Sequence, residues 1–241
     1  MIEFVTLALL VIETILLILT VVLLFMSQRE HTGRKRLIES MLYTTRILTT
    51  SEYFHTILEG YGEAKNSVKC IITGRYPEDY FEREILERIS REIRSAIKRG
   101  VKVKFLIPKI EDRIHVGYKY KQLGAEVKFV EGLLAHDLRL MIIDNRCTII
   151  GLPAEAGEKQ PTRKGFKIPS ETLSKILDET IERYWNNENS VEYDEYLREI
   201  IEKYEAMHPG ISIEAISNYL NLSPDEIRRI KISQNRENEN A

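Results

Sequence analysis

The feature that most constrains the fold is the segment PEDYFEREILERISREIRSAIKRG and its two neighbours. Ile85, Ile89, Ile93 and Ile97 recur every fourth residue, which lines one face of a helix, and Gly100 follows as a stop. Before it stands VKCIITG, a short β-branched apolar run. After it stands VKVKFLIP, in which Val101, Val103 and Phe105 alternate with Lys102 and Lys104. A strand, a helix and a strand in this order form a crossover unit, which places two strands side by side in a sheet that the helix covers. The pattern continues with a short helix in DRIHVGYKYKQLG, interrupted at Gly117, and with a strand in AEVKFVEG. Two more strands run from Asp137 to Asp144 and from Arg146 to Leu152, and the helix SETLSKILDETIERYWNN is capped by Ser170. The order β-α-β-α-β-β-β-α predicts an α/β domain over about 51–187 with a mainly parallel sheet flanked by helices.

The flanks differ in character. Phe4 to Met26 reads FVTLALLVIETILLILTVVLLFM, 23 residues carrying one charge, Glu13. About 20 apolar residues cross a bilayer core, so 1–27 is expected to be a membrane anchor. Glu13 is costly in lipid, and is either a contact between membrane helices or a tolerated acid. Arg29, Arg34, Lys35 and Arg36 follow the span while only Glu3 precedes it, so the N-terminus is expected outside and the rest in the cytoplasm. Residues 28–50 read as a basic juxtamembrane linker that passes into a helix through LIESMLYTTRILTT. Residues 188–241 read as a helical tail. Its segments on either side of Asn221-Leu222 have the spacing of a helix-turn-helix, with Ser223-Pro224 starting the last helix and a polar end expected to be disordered. DNA contact would fall to Arg228, Arg229 and Lys231, the alternative being a packing or protein-interaction module.

A formal charge of -2 names no polyanionic partner, so any nucleic-acid contact must rest on a local patch. Cys70 and Cys147 stand without a CxxC, and His31, His55, His115 and His208 have no ligand spacing, so neither a metal nor another cofactor is expected.

The residues that carry chemistry cluster in HDLRLMIIDNRCTIIGLPA, His136 to Ala154. Six residues separate Asp144 from Gly151. Arg139 stands in the place of a lysine separated from that aspartate by four residues, and Asp137 stands two positions earlier. Leu152 and Ala154 follow the glycine. This spacing, with the surrounding strand-helix order, resembles one half-domain of the phospholipase D superfamily, whose motif is His-x-Lys, four residues, Asp, six residues, Gly-Ser-x-Asn. It is similar also to the C-terminal domains of archaeal TrmB-type sugar-responsive regulators. The resemblance implies a phosphodiester site with a histidine nucleophile, complete only when two copies pair, hence a homodimer.

The departures alter what the site can do. Asp137 in the histidine position repels a phosphate, and it shares a strand face with Arg139, while His136 points the other way unless a bulge re-aims it. Arg139 either binds an anion or pairs with Asp137 or Asp144. Gly151 is expected to allow close backbone approach. Lys159, Arg163, Lys164 and Lys167 are read on a loop near the site, either as an anion-gathering rim or as a solvated basic loop. The function expected is that of a membrane-anchored, catalytically inactive binding, scaffolding or regulatory protein. The alternatives are a homodimeric membrane-bound phosphodiesterase or nuclease using His136, Arg139 and Asp144, and a membrane-tethered transcription regulator.

Overall fold

A computed structural model of the chain describes residues 45–74, 80–132, 138–153 and 162–239, together with Leu16, Leu17, Leu19 and Thr20; at 80–82, 163 and 234–239 it describes the backbone alone. Contacts group the chain into two units, Met1–Thr45 and Arg46–Ala241. In the first, Leu16, Leu17, Leu19 and Thr20 are helical, and Thr20 Oγ1 donates to the Leu16 carbonyl at 2.8 Å. Among the described residues no helix is long and apolar enough to cross a membrane. The expected anchor, Phe4 to Met26, lies for the most part outside them.

The second unit is built on one eight-stranded sheet. In chain order its elements are β1 (Arg46–Thr49), α1 (Thr50–Glu63), β2 (Ser67–Ile71), α2 (Tyr80–Lys98), β3 (Lys102–Pro108), a 3-10 turn (Glu111–Arg113), α3 (Ile114–Gln122), β4 (Glu126–Val130), β5 (Arg139–Ile143), β6 (Cys147–Pro153), β7 (Thr162–Ile168), α4 (Glu171–Trp185), β8 (Ser190–Glu192), α5 (Tyr193–Met207), α6 (Ile213–Leu220) and α7 (Pro224–Glu239). The strand order is β1-β7-β6-β5-β2-β3-β4-β8. The expected strands and helices between Ser67 and Trp185 are all present. The expectation of a mainly parallel sheet is corrected: β2–β3 and β3–β4 are parallel, while the other five pairings are antiparallel. Crossover helices α2 and α3 impose the parallel pairs, whereas only three residues join β5 to β6 and eight join β6 to β7, too few for a crossover, so these strands pair antiparallel.

Three strands fall where none was expected. Residues 46–49, read as the end of a helix, are β1, because Leu48 is buried on the sheet and Thr49 caps the next helix. Thr49 and Glu52 form a reciprocal capping box, which starts α1. Residues 162–164, read as loop, belong to β7, and β8 leads directly into α5.

The two faces of the sheet are covered unequally. On one face α4 packs Ile181 and Trp185 on Ile71, Leu106, Val130, Leu140 and Ile142. Its acids take up the sheet lysines: Lys69 lies 2.5 Å from Asp178 and 2.9 Å from Glu182, and the Lys104 ammonium sits 4.6 Å above the Trp185 ring. The other face carries the larger core, in which Ile85, Ile89 and Ile93 of α2 are buried as their spacing predicts. The tail shares this core through Tyr193, Leu197, Ile201, Ile216 and Ile227. Gly117 does not break α3. It lets Phe129 and Tyr193 approach, since a Cβ there would lie 2.5 Å from Phe129 Cζ.

Two glycine substitutions separate packing from propensity. Gly117→Ala is expected to cost about 1–3 kcal/mol through overpacking against Phe129. Gly62→Ala, in α1 with nothing within 4 Å of the added methyl, is expected to gain about 0.5–1 kcal/mol. Denaturant unfolding of the two variants checks both signs.

Candidate functional site

The β5–β6 turn is the first element of the site. Asp144 and Asn145 both have positive φ, 50° and 54°, and Arg146 N donates to the Ile143 carbonyl at 2.9 Å. Left-handed values at two successive residues mark a type I′ turn, which short polar side chains tolerate. The Asp144 carboxylate accepts from three consecutive backbone amides at the start of β2: Lys65 at 2.9 Å, Asn66 at 2.7 Å and Ser67 at 2.9 Å. Its own amide donates to the Ser67 carbonyl at 2.9 Å. Partial burial pushes its pKa up, but the three amides outweigh burial and hold it below the usual aspartate range.

This clamp fixes β5 against β2, with Val68 opposite Ile143 and Ile71 opposite Leu140. Arg139, Met141 and Ile143 therefore face the helix-rich side. Asp144 ends up about 17 Å along the strand from Arg139, so it cannot pair with Arg139 or orient a group beside it. Of the residues singled out in the sequence, Arg139 and Gly151 are brought together as direct cross-strand partners. His136, Asp137 and Lys159 lie outside the described residues. Arg163 and Lys164 lie in β7 rather than on a loop; Lys164 is exposed and alternates to the face opposite Gly165. Lys167 is half-buried in the same strand.

A residue that sequence reading left unremarked organises the row. Leu48, Gly165, Gly151 and Arg139 stand in register across β1, β7, β6 and β5. The ring of Tyr53, from α1, lies on the two glycines. A Cβ on Gly151 would be 2.6 Å from the Tyr53 hydroxyl, and one on Gly165 2.5 Å from Cδ2. The expectation of close approach at Gly151 thus acquires a partner, a side chain rather than a backbone. The sequence offered only a weak signal, Gly151 in an expected strand, with Gly165 outside every expected strand. Burial pushes the Tyr53 phenol well up, although the Arg139 charge and Thr162 pull it down.

Beside this row opens a cavity of about 290 Å³ between the sheet and helices α1, α2 and α3. Its lining includes Arg139, Cys70, Phe105, Tyr61 and Tyr120. Arg139 is only 8% exposed. The Phe105 and Tyr120 rings stack at 4.1 Å. Burial pushes the Cys70 thiol up to about 12, so it is a thiol and not a nucleophilic thiolate. Burial likewise lowers His115, on the cavity wall, below the usual histidine range.

The tail cations are engaged elsewhere. Arg228 pairs with Asp225 at 2.9 Å and Glu214 at 3.3 Å, Arg229 with Asp194 at 2.5 Å and Glu226 at 2.7 Å, and Lys231 with Glu205. Contacts of this kind between partly exposed groups each contribute little to stability, but here they turn the basic side chains toward acids of the same domain.

Asp144→Ala leaves three amides without an acceptor and is expected to lower stability by about 2–4 kcal/mol. Asp144→Asn, which keeps one acceptor oxygen and tolerates positive φ, costs less. Because the folded state depresses this pKa, the carboxylate's contribution is complete at neutral pH and is lost as pH falls through the depressed value. The stability gap between the parent and Asp144→Asn should therefore close in acid, as urea unfolding at a series of pH values would read.

No protein-family model and no curated protein matches the chain. Among solved structures it is similar to Nuc from Salmonella typhimurium, a phospholipase D family member, at 17% identity over 62% of this chain and 97% of that one, with a TM-score of 0.48. NucT from Helicobacter pylori is similar at 16% identity over 62% and 98%, with a TM-score of 0.45. TrmBL2, an archaeal chromatin protein with a novel mode of DNA binding, is similar at 17% identity over 66% and 61%, with a TM-score of 0.41.

Proposed function

We propose that this chain is a membrane-anchored protein whose phospholipase D-like domain binds an anionic ligand without cleaving it, and that it acts in binding, scaffolding or regulation as a homodimer. The observation that carries the reading is a buried arginine, Arg139, in the wall of an otherwise mainly apolar cavity. A guanidinium in such a wall is a strong recognition element for a carboxylate or phosphate, because water competes poorly for it there. Three features count against turnover at this place. Asp137 occupies the position of the superfamily's histidine, Asp144 is spent on backbone amides, and Cys70 is protonated.

The anchor is supported by the apolarity of Phe4–Met26 and by the basic residues after it. Pairing of two copies is supported by the resemblance alone, since one half-domain holds half of a two-motif site. Regulation through DNA is the weaker reading, because Arg228, Arg229 and Lys231 are each paired with acids of the same domain.

The test uses the full chain in lipid nanodiscs, assayed on phospholipid, single-stranded and duplex nucleic-acid phosphodiesters beside His136→Ala and Asp137→Ala. The expected result is no turnover by any of the three, while inorganic phosphate raises the melting temperature of the parent and not of Arg139→Gln. Turnover that His136→Ala abolishes would establish the phosphodiesterase instead.

A further inference from the structure

The cavity that Arg139 lines is also lined by Tyr61, Cys70, Phe105 and Tyr120, each 8% exposed or less. A site meant for an inorganic anion, or for the backbone of a polyanion, needs no such aromatic lining. Its volume sets a limit in the other direction. About 290 Å³ is the share of roughly ten water molecules in the liquid, at the small end of ligand cavities. A two-tailed phospholipid or a nucleotide strand exceeds this volume and would enter only in part.

The charges are also one-sided. Arg83 and Lys119 are exposed at the open side and Arg139 lies deeper, against Glu87 as the one carboxylate among the described lining residues. The inner wall adds no negative charge at neutral pH, because burial keeps the Tyr53, Tyr61 and Tyr120 phenols and the Cys70 thiol protonated.

We propose that this site takes a small amphipathic anion: a carboxylate or phosphate head held by Arg139, with one slim apolar body of roughly a dozen heavy atoms lying against Phe105, Tyr61 and Tyr120. The inference rests on the reading that Arg139 receives an anion, and it adds the class of molecule that carries the charge. Straight-chain acids are the simplest members of that class. For these, affinity rises with each methylene buried until the cavity is full.

Equilibrium dialysis of the full chain in nanodiscs against butanoate, hexanoate, octanoate, decanoate and dodecanoate reads this directly. Arg139→Gln discs run in parallel subtract partition into lipid. The expected result is an Arg139-dependent affinity that rises roughly four-fold per methylene and then levels near decanoate. Octanol should bind at least ten-fold more weakly than octanoate, and octyl phosphate in place of octanoate reports which head is preferred. Ile57→Trp, which fills part of the cavity without touching the arginine, should flatten the chain-length dependence while inorganic phosphate still protects the protein against heat. Phosphate protection with no dependence on chain length in the parent would overturn the proposal and leave the anion site standing. No Arg139-dependent binding of phosphate or of any acid would overturn both.

Discussion

The grip of the Asp144 carboxylate on three consecutive amides is the constraint on which the site depends. Residues 65–67 close the connection between α1 and β2, and Asp144 ends β5. One side chain therefore fixes a helix exit, a strand start and the register of the antiparallel pair beside it. A slip of one residue would turn Arg139, Met141 and Ile143 to the opposite face, onto α4. With the register held, Arg139 faces the helices and Gly151 and Gly165 continue its row. Tyr53 lies on the row only because two successive strands present no Cβ to it.

That arrangement explains how an arginine comes to be buried without a collapsed core around it. The glycines bring the Tyr53 ring down onto the sheet at one end of the row. At the other end the aromatic side chains of β3 and α3 stack on each other, Phe105 on Tyr120. The space between them is the cavity. Its lining combines exposed cations, the buried Arg139, and buried neutral phenols and a thiol. A lining of this kind suits ligands that carry charge at one end and hydrocarbon at the other.

The sequence made much of this legible, and its failures have identifiable causes. Ile85 to Ile97 and the alternation in VKVKFLIP located α2 and β3 because one face of each is buried. The turn at Asp144-Asn145 was read from residue types that tolerate positive φ, and both residues adopt it. Strand direction was misjudged, since helix alternation marks only the crossover pairs and β5 to β7 carry no sign of orientation. β1 and β7 were missed because four residues of RILT, and a run with two lysines, an arginine and a glycine, have little strand character of their own; they become strands through Leu48 and the glycine row. Tyr53 drew no remark, because nothing near it in the chain points to Gly151 or Gly165. Of the acids that pair with the tail cations, Asp194 was the hard one to foresee, because it lies 35 residues from Arg229.

The claim on which the account turns is that an amphipathic anion sits with its head on Arg139 and its body in the aromatic cavity. A crystal structure of the protein grown with decanoate tests it most directly. The account predicts the carboxylate within hydrogen-bonding distance of the Arg139 guanidinium, with the alkyl chain running between Tyr61, Phe105 and Tyr120. Decanoate bound only elsewhere on the protein, with the cavity lining unchanged, would contradict it.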